Sequence, residues 1–177
     1  MAQLIGLVAV GLLGLFNLVL AFGLVRRMRE HADLISRLSD VVGGRSSAGA
    51  IVGVGTRVPP FRVTALDNGI VDRDRLPSST LVGFFSPGCT PCEELLPGFV
   101  AAARAMPNGK AGVIAVVVSE EFAGEYLDVL GEVATVVVEG RKGALGVAFG
   151  VTSYPATCTI DATGTVTSTR LAVPAGV

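Results

Sequence analysis

Tryptophan is absent from this 177-residue chain, histidine occurs once and cysteine three times. One His and three Cys are too few for most structural zinc sites, and an odd cysteine count excludes a fully paired disulfide framework. Charge is scarce as well. Charged residues make up 16% of the chain, with 14 Lys+Arg against 15 Asp+Glu and a formal net charge of -1. That balance offers no basic field to displace counterions, so nucleic acid is excluded as a partner. What the chain has in plenty is apolar side chains, at 50%. That is more than an ordinary soluble domain carries and far from disordered or collagen-like composition.

The excess is concentrated at the start. No charged side chain occurs from Met1 to Val25, and in the run Leu4–Val25 only Asn17 is strongly polar. As a helix this run would be about 33 Å long, enough to cross a hydrocarbon core of about 30 Å. A soluble helix of that length would show a polar face. A cleaved signal peptide would have a basic start, a shorter core and a small-residue cut site. Residues 1–25 are therefore expected to be a retained transmembrane anchor in a lipid bilayer. Residues 26–57 follow as an amphipathic stalk, with Met28, Leu34, Ile35, Leu38 and Val41 roughly on one stripe, and a Gly/Ser linker at Gly43–Gly49. His31 lies in the stalk, far in sequence from any candidate chemistry, and is expected to be solvated.

Residues 58–177 are expected to be the globular domain. Pro59 and Pro60 block helix, Phe61–Ala65 alternates as a strand, and Asp67-Asn68-Gly69 is a turn before a return strand at Ile70. Thr80–Phe85, Gly112–Val118 and Thr135–Val138 are continuous apolar runs, as buried parallel strands are. Between them the pattern predicts a helix to about Met106, bent at Pro97, and a helix over Glu120–Leu130 stopped by Gly131. A short helix over Lys142–Phe149 and a hairpin of Ala156–Ile160 with Thr165–Leu171 close the chain. The expected class is an α/β sandwich around a mixed central sheet.

Cys89-Thr90-Pro91-Cys92 stands between a buried strand and a helix. At a helix N-terminus, unpaired N–H groups and the positive end of the dipole favour a thiolate, which makes Cys89 the expected nucleophile. Cys92, one turn further on, could attack the mixed disulfide that Cys89 forms with a substrate. Pro91 suits the first helical turn. A zinc site would need two more ligands, and only Cys158 and His31 remain, so no metal is expected. Neither cysteine lies in a Pro-x-x-x-Thr-x-x-Cys frame, which argues against peroxide chemistry. Cys158 is expected to be a small core hydrophobe.

The stretch Phe84–Cys92 (FFSPGCTPC), Pro97, and Tyr154-Pro155-Ala156-Thr157 leading into Ile160-Asp161 and a Gly164 hairpin resemble the thioredoxin superfamily. The nearest branch is that of the membrane-anchored TlpA/ResA/MauD-type thiol–disulfide oxidoreductases, whose entry strand Arg57–Phe61 resembles. The resemblance implies a thioredoxin-like domain with a cis Pro155 facing the cysteines and a Tyr154 backbone that pairs with an extended substrate segment. It implies a protein disulfide as substrate, a separate electron donor, and no cofactor. The alternative within the branch is a MauD-like maturation or client-binding module with little general reductase activity. The sequence departs from the family in having Pro87-Gly88 where many relatives have Trp. It also has Gly83 where thioredoxins carry a buried acid. Glu93 and Glu94 are near the pair, but at a helix start they are expected to be solvated dipole partners.

Two arguments oppose each other on the membrane side. Arg26, Arg27 and Arg29 follow the apolar run, and by the positive-inside rule they put the domain in the cytoplasm. The resemblance implies an extracytoplasmic domain, where protein disulfides occur, and that side is favoured.

Overall fold

The structure is a computed structural model and describes residues 50–119 and 124–172. The expected anchor and stalk, His31, and the start of the expected helix at Glu120 lie outside the described residues. Among the described residues no helix is long and apolar enough to cross a membrane.

The first hairpin forms where the turn residues predict it. β1 (Arg62–Thr64) pairs antiparallel with β2 (Ile70–Asp72). Asn68 takes φ 64° between them, a conformation that Asn tolerates well. Asp67 Oδ1 accepts the Gly69 N–H at 3.0 Å, closing the turn from the side chain.

A five-stranded sheet runs β5-β4-β3-β6-β7. β3 (Ser79–Phe85), β4 (Val113–Val118) and β5 (Thr135–Glu139) are parallel. β6 (Ala156–Asp161) runs antiparallel to β3, and β7 (Val166–Ser168) antiparallel to β6. The sheet is mixed, as expected. Its central strands are continuously apolar because both faces are covered. Val82, Phe84, Ile114 and Val116 face one core, shared with Phe61, Val71, Leu145 and Phe149. Leu81, Phe85, Val113, Ala115 and Val117 face the other, under α1 (Thr90–Arg104) and α2 (Gly124–Val133). The short α3 (Ala144–Ala148) covers the first face.

Several expected boundaries shift. The second helix does not stop at Gly131 but continues to Val133. The buried Leu130, Val133 and Ala134 hold that last turn against the sheet, and tertiary burial outweighs the weak helix propensity of one glycine. The third helix begins at Ala144 rather than Lys142, because the chain first turns at Gly140–Gly143, where the Gly143 N–H bonds the Gly140 carbonyl at 2.9 Å. The last strand is confined to Val166–Ser168, since the Ser168 hydroxyl takes the Arg170 N–H and ends the ladder. α1 runs unbroken through Pro97. Packing also begins ahead of Val58: Ile51 is buried, the Val52 N–H bonds the Phe149 carbonyl at 3.0 Å, and Arg57 bridges to Thr165.

Candidate active site

β3 ends at Phe85, and Ser86-Pro87-Gly88 turns the chain into α1. Gly88 has φ +72° with open space around it, so the turn needs a residue at ease in the left-handed region. Cys89 is the N-cap of α1, with extended backbone, and its carbonyl accepts the N–H groups of Cys92 at 2.9 Å and Glu93 at 3.1 Å. Thr90 and Pro91 occupy the exposed first helical positions between the two cysteines.

The two thiols have different surroundings. Cys89 is half-buried, whereas Cys92 is fully buried among Leu95, Phe85 and Phe99. Burial pushes the Cys92 thiol up to about 12, a hydrogen bond with Cys89 adds to the rise, and a backbone hydrogen bond at Ser86 opposes it. The accessible sulfur is thus the one at the helix start, backed by a protonated thiol one turn below.

The loop before β6 completes the arrangement. The Tyr154–Pro155 peptide bond is cis. The Cys89 Sγ donates to the Tyr154 carbonyl at 3.8 Å, a weak sulfur hydrogen bond between residues 65 positions apart in sequence. Tyr154 packs against both hydrophobic cores. Burial raises its hydroxyl above the ordinary tyrosine value, and the Arg141 charge opposes that rise. The structure therefore brings together Cys89, Cys92, Thr90, Pro91, Tyr154 and Pro155. It keeps Cys158 apart. That residue pairs with Val82 on β3 and packs in the core on the opposite sheet face from Cys92. Burial pushes its thiol up to about 12.

Gly83 is a consequence of packing. A Cβ there would overlap the Phe99 ring and lie 2.8 Å from Phe85 Cε2. Phe85 and Phe99 meet edge-on at 4.9 Å over this glycine. The space in which a buried acid could approach Cys92 from β3 is filled by phenylalanine. Among the described residues no cluster of three His, Cys, Asp or Glu side chains is placed to hold a metal ion.

Sequence patterning did not single out the β5–α3 turn near this site. Glu139, at the end of β5, accepts the N–H groups of Leu145 at 3.0 Å and Gly146 at 2.7 Å. Its side chain lies where a Gly143 Cβ would be, so only glycine fits. The one signal in the residues is the Glu139-Gly140…Gly143 spacing, and glycine pairs of that kind are common in surface turns of every sort.

No protein-family model matches the sequence, and no curated protein matches it. Solved structures do match. A protein described as a thioredoxin from Neisseria meningitidis aligns over 67% of this chain and 81% of its own, with 27% identity and a TM-score of 0.52. A thiol:disulfide interchange protein from Bacteroides sp. aligns over 66% and 80%, with 17% identity and a TM-score of 0.54. The chain has the thioredoxin fold. A third structure of the same fold, described as a thiol:disulfide interchange protein DsbE from Chlorobium tepidum, aligns over 65% and 82%, with 27% identity and a TM-score of 0.50. In this thioredoxin fold the cysteine pair stands at the start of α1, against the cis proline before β6.

Proposed function

We propose that the protein is a membrane-tethered thiol–disulfide oxidoreductase that reduces protein disulfides through Cys89 and Cys92. The observation that carries this reading is the half-buried Cys89 sulfur at a helix start, bonded to the carbonyl before Pro155 and backed by a buried thiol. The similarity to a thiol:disulfide interchange protein at 27% identity supports it.

In the reaction, the Cys89 thiolate attacks one sulfur of a client disulfide. The client S–S bond breaks, a Cys89–client disulfide forms, and the client's other sulfur leaves as a thiolate. Cys92 then gives up its proton and attacks the Cys89 sulfur. This forms the Cys89–Cys92 disulfide and releases the second client thiol. Two electrons have passed to the client, and a separate dithiol donor restores the pair. The exposed Thr90 and Pro91 leave access to Cys89, and the Tyr154 backbone offers hydrogen-bonding groups to an extended client segment, as in strand addition. Cys92 sits in an apolar pocket without a carboxylate from β3, so its proton leaves towards the departing client thiolate.

The charge-free run Leu4–Val25 supports tethering to the bilayer, and we place the domain on the extracytoplasmic side. A reporter active on only one side of the membrane, fused after residue 45, tests that orientation.

The chemistry is tested with the full chain in detergent and a cystine-bridged peptide. Cys89→Ser is expected to abolish reduction, and Cys92→Ser to accumulate a Cys89–client mixed disulfide visible by mass. Undiminished reduction by Cys89→Ser would overturn the mechanism. Slow turnover of generic peptides with stable capture of one client would favour the maturation-module alternative.

A further inference from the structure

The thioredoxin-fold site has an uneven charge border. Glu93, in the first turn of α1, and Glu94, the next residue, are exposed. On the β5–α3 side stand Arg141 and Lys142, both exposed. Neither makes an ion pair among the described residues. Their position is built. They are the two central residues of the turn closed by the Gly143 N–H and the Gly140 carbonyl. Glu139, the acid that precedes the turn, has both carboxylate oxygens turned to the Leu145 and Gly146 N–H groups. It is thereby directed into the fold rather than towards the two cations. The turn leaves the carboxyl end of β5, and Cys89 follows the carboxyl end of β3, which runs parallel to it in the same sheet. Both are therefore at the same end of the sheet. The Arg141 charge acts on the Tyr154 hydroxyl, and the carbonyl of the same residue accepts the Cys89 thiol.

We infer that Arg141 and Lys142, presented by the Gly140–Gly143 turn at the same end of the sheet as Cys89 and the Tyr154–Pro155 loop, form a docking site for acidic residues that flank the client's cysteine. The inference rests on the proposed reductase function. Carboxylates on a client segment bound at this end of the sheet meet two cations that have no ion-pair partner among the described residues. Lysines there meet repulsion instead. Arginine is suited to this because its fork can take both oxygens of a carboxylate. Exposed charges of this kind act on encounter and specificity more than on the chemical step.

The test uses the full chain in detergent and three cystine-bridged peptides that differ only beside the cysteines, carrying Glu, Ala or Lys. The wild type is expected to reduce the Glu peptide about three- to tenfold faster in kcat/KM than the Lys peptide, the range for a few exposed charge contacts. The preference should shrink in 0.5 M NaCl, where screening shortens to a few ångströms (about 3–5 Å). Arg141→Ala with Lys142→Ala should bring the ratio towards one, and Arg141→Glu with Lys142→Glu should invert it. Arg104→Ala, at the other end of α1, should leave the ratio as it is. Equal rates for all three peptides in the wild type, or a preference that survives the double alanine variant, would overturn the docking site alone. Failure to reduce any peptide, with Cys89 unreactive towards them, would overturn the reductase reading and the docking site with it.

Discussion

Cys92 and Cys158 are both sealed from solvent, yet only one of them has a reaction partner. Cys92 hydrogen-bonds Cys89, whereas Cys158 lies across the sheet from both, packed in the other apolar core. Its raised thiol has a consequence for stability. Below about pH 9 the Cys158 sulfur keeps its proton in the folded and the unfolded chain, so it has no effect on the pH dependence. Between 9.0 and about 12 the unfolded chain loses the proton and the folded one retains it. Unfolding is then favoured, and stability falls by about 1.4 kcal/mol per pH unit from this group. Urea unfolding of the reduced protein at pH 8.0 and 10.5 should show a decline that is shallower in Cys158→Ala. Identical slopes would mean that Cys158 is solvated. Reduction of a peptide disulfide by Cys158→Ala should continue, since that sulfur is not part of the pair.

At the scale of elements, two contacts decide how the strands present the site. The first is the seat of α1 on β3. Gly83 lets the Phe99 ring lie directly on the strand, and that contact sets the depth of the helix that begins at Cys89. Gly83→Ala forces a methyl into the ring, and overpacking of this kind costs about 1–3 kcal/mol. A lowered Tm is the expected readout, and restoration in Gly83→Ala with Phe99→Leu would identify the ring as the cause. The second contact is the Glu139 bridge across the β5–α3 turn. Glu139→Ala removes the acceptor for two N–H groups and is expected to cost about 1–2 kcal/mol, as the loss of a helix cap does. Chemical denaturation measures it. No loss of stability would indicate that the two N–H groups find water instead.

At the scale of the molecule, the mixed sheet gathers distant segments of chain. β3 and β6 pair antiparallel from Ser79 with Asp161 to Phe84 with Ala156. This register puts the Tyr154–Pro155 loop beside the end of β3, and so beside Cys89. The apolar run at the chain's start makes a separate prediction for the whole protein. On detergent phase separation, the full chain should enter the detergent phase, and a chain beginning at residue 46 should stay in the aqueous phase. Recovery of both in the aqueous phase would remove the anchor. Arg73 shows how the same scale constrains single residues. Its guanidinium is buried, donates to the Val58 carbonyl at 3.0 Å, and packs under Gly164, which at φ +78° leaves room for it.

Much of this was legible in the residues because it depends on local chemistry. Continuous runs such as Val113–Val118 mark doubly covered strands, Asp67-Asn68-Gly69 marks a hairpin, and a cysteine pair after a buried strand marks a helix start. The boundaries that moved are those where contacts distant in sequence outweigh local preference. Gly131 is a stop signal in isolation, but burial of Leu130 and Val133 carries the helix past it. Glu139 and Arg141 carried no pattern beyond a glycine spacing that is common in surface turns. Their roles depend on a turn whose hydrogen bonds exist only once β5 and α3 are packed.

The order of residues by itself determined the element types, the position of the cysteine pair at a helix N-terminus, and the apolar span at the start, because periodicity and backbone capping are short-range effects. Only the tertiary structure decided that Cys89 meets Tyr154, that Cys158 faces the other core, and that Phe99 occupies the space above Gly83. Each of those is a contact between chain segments far apart in sequence, and such contacts are set by which strands lie side by side and by how side chains fill the volume between layers.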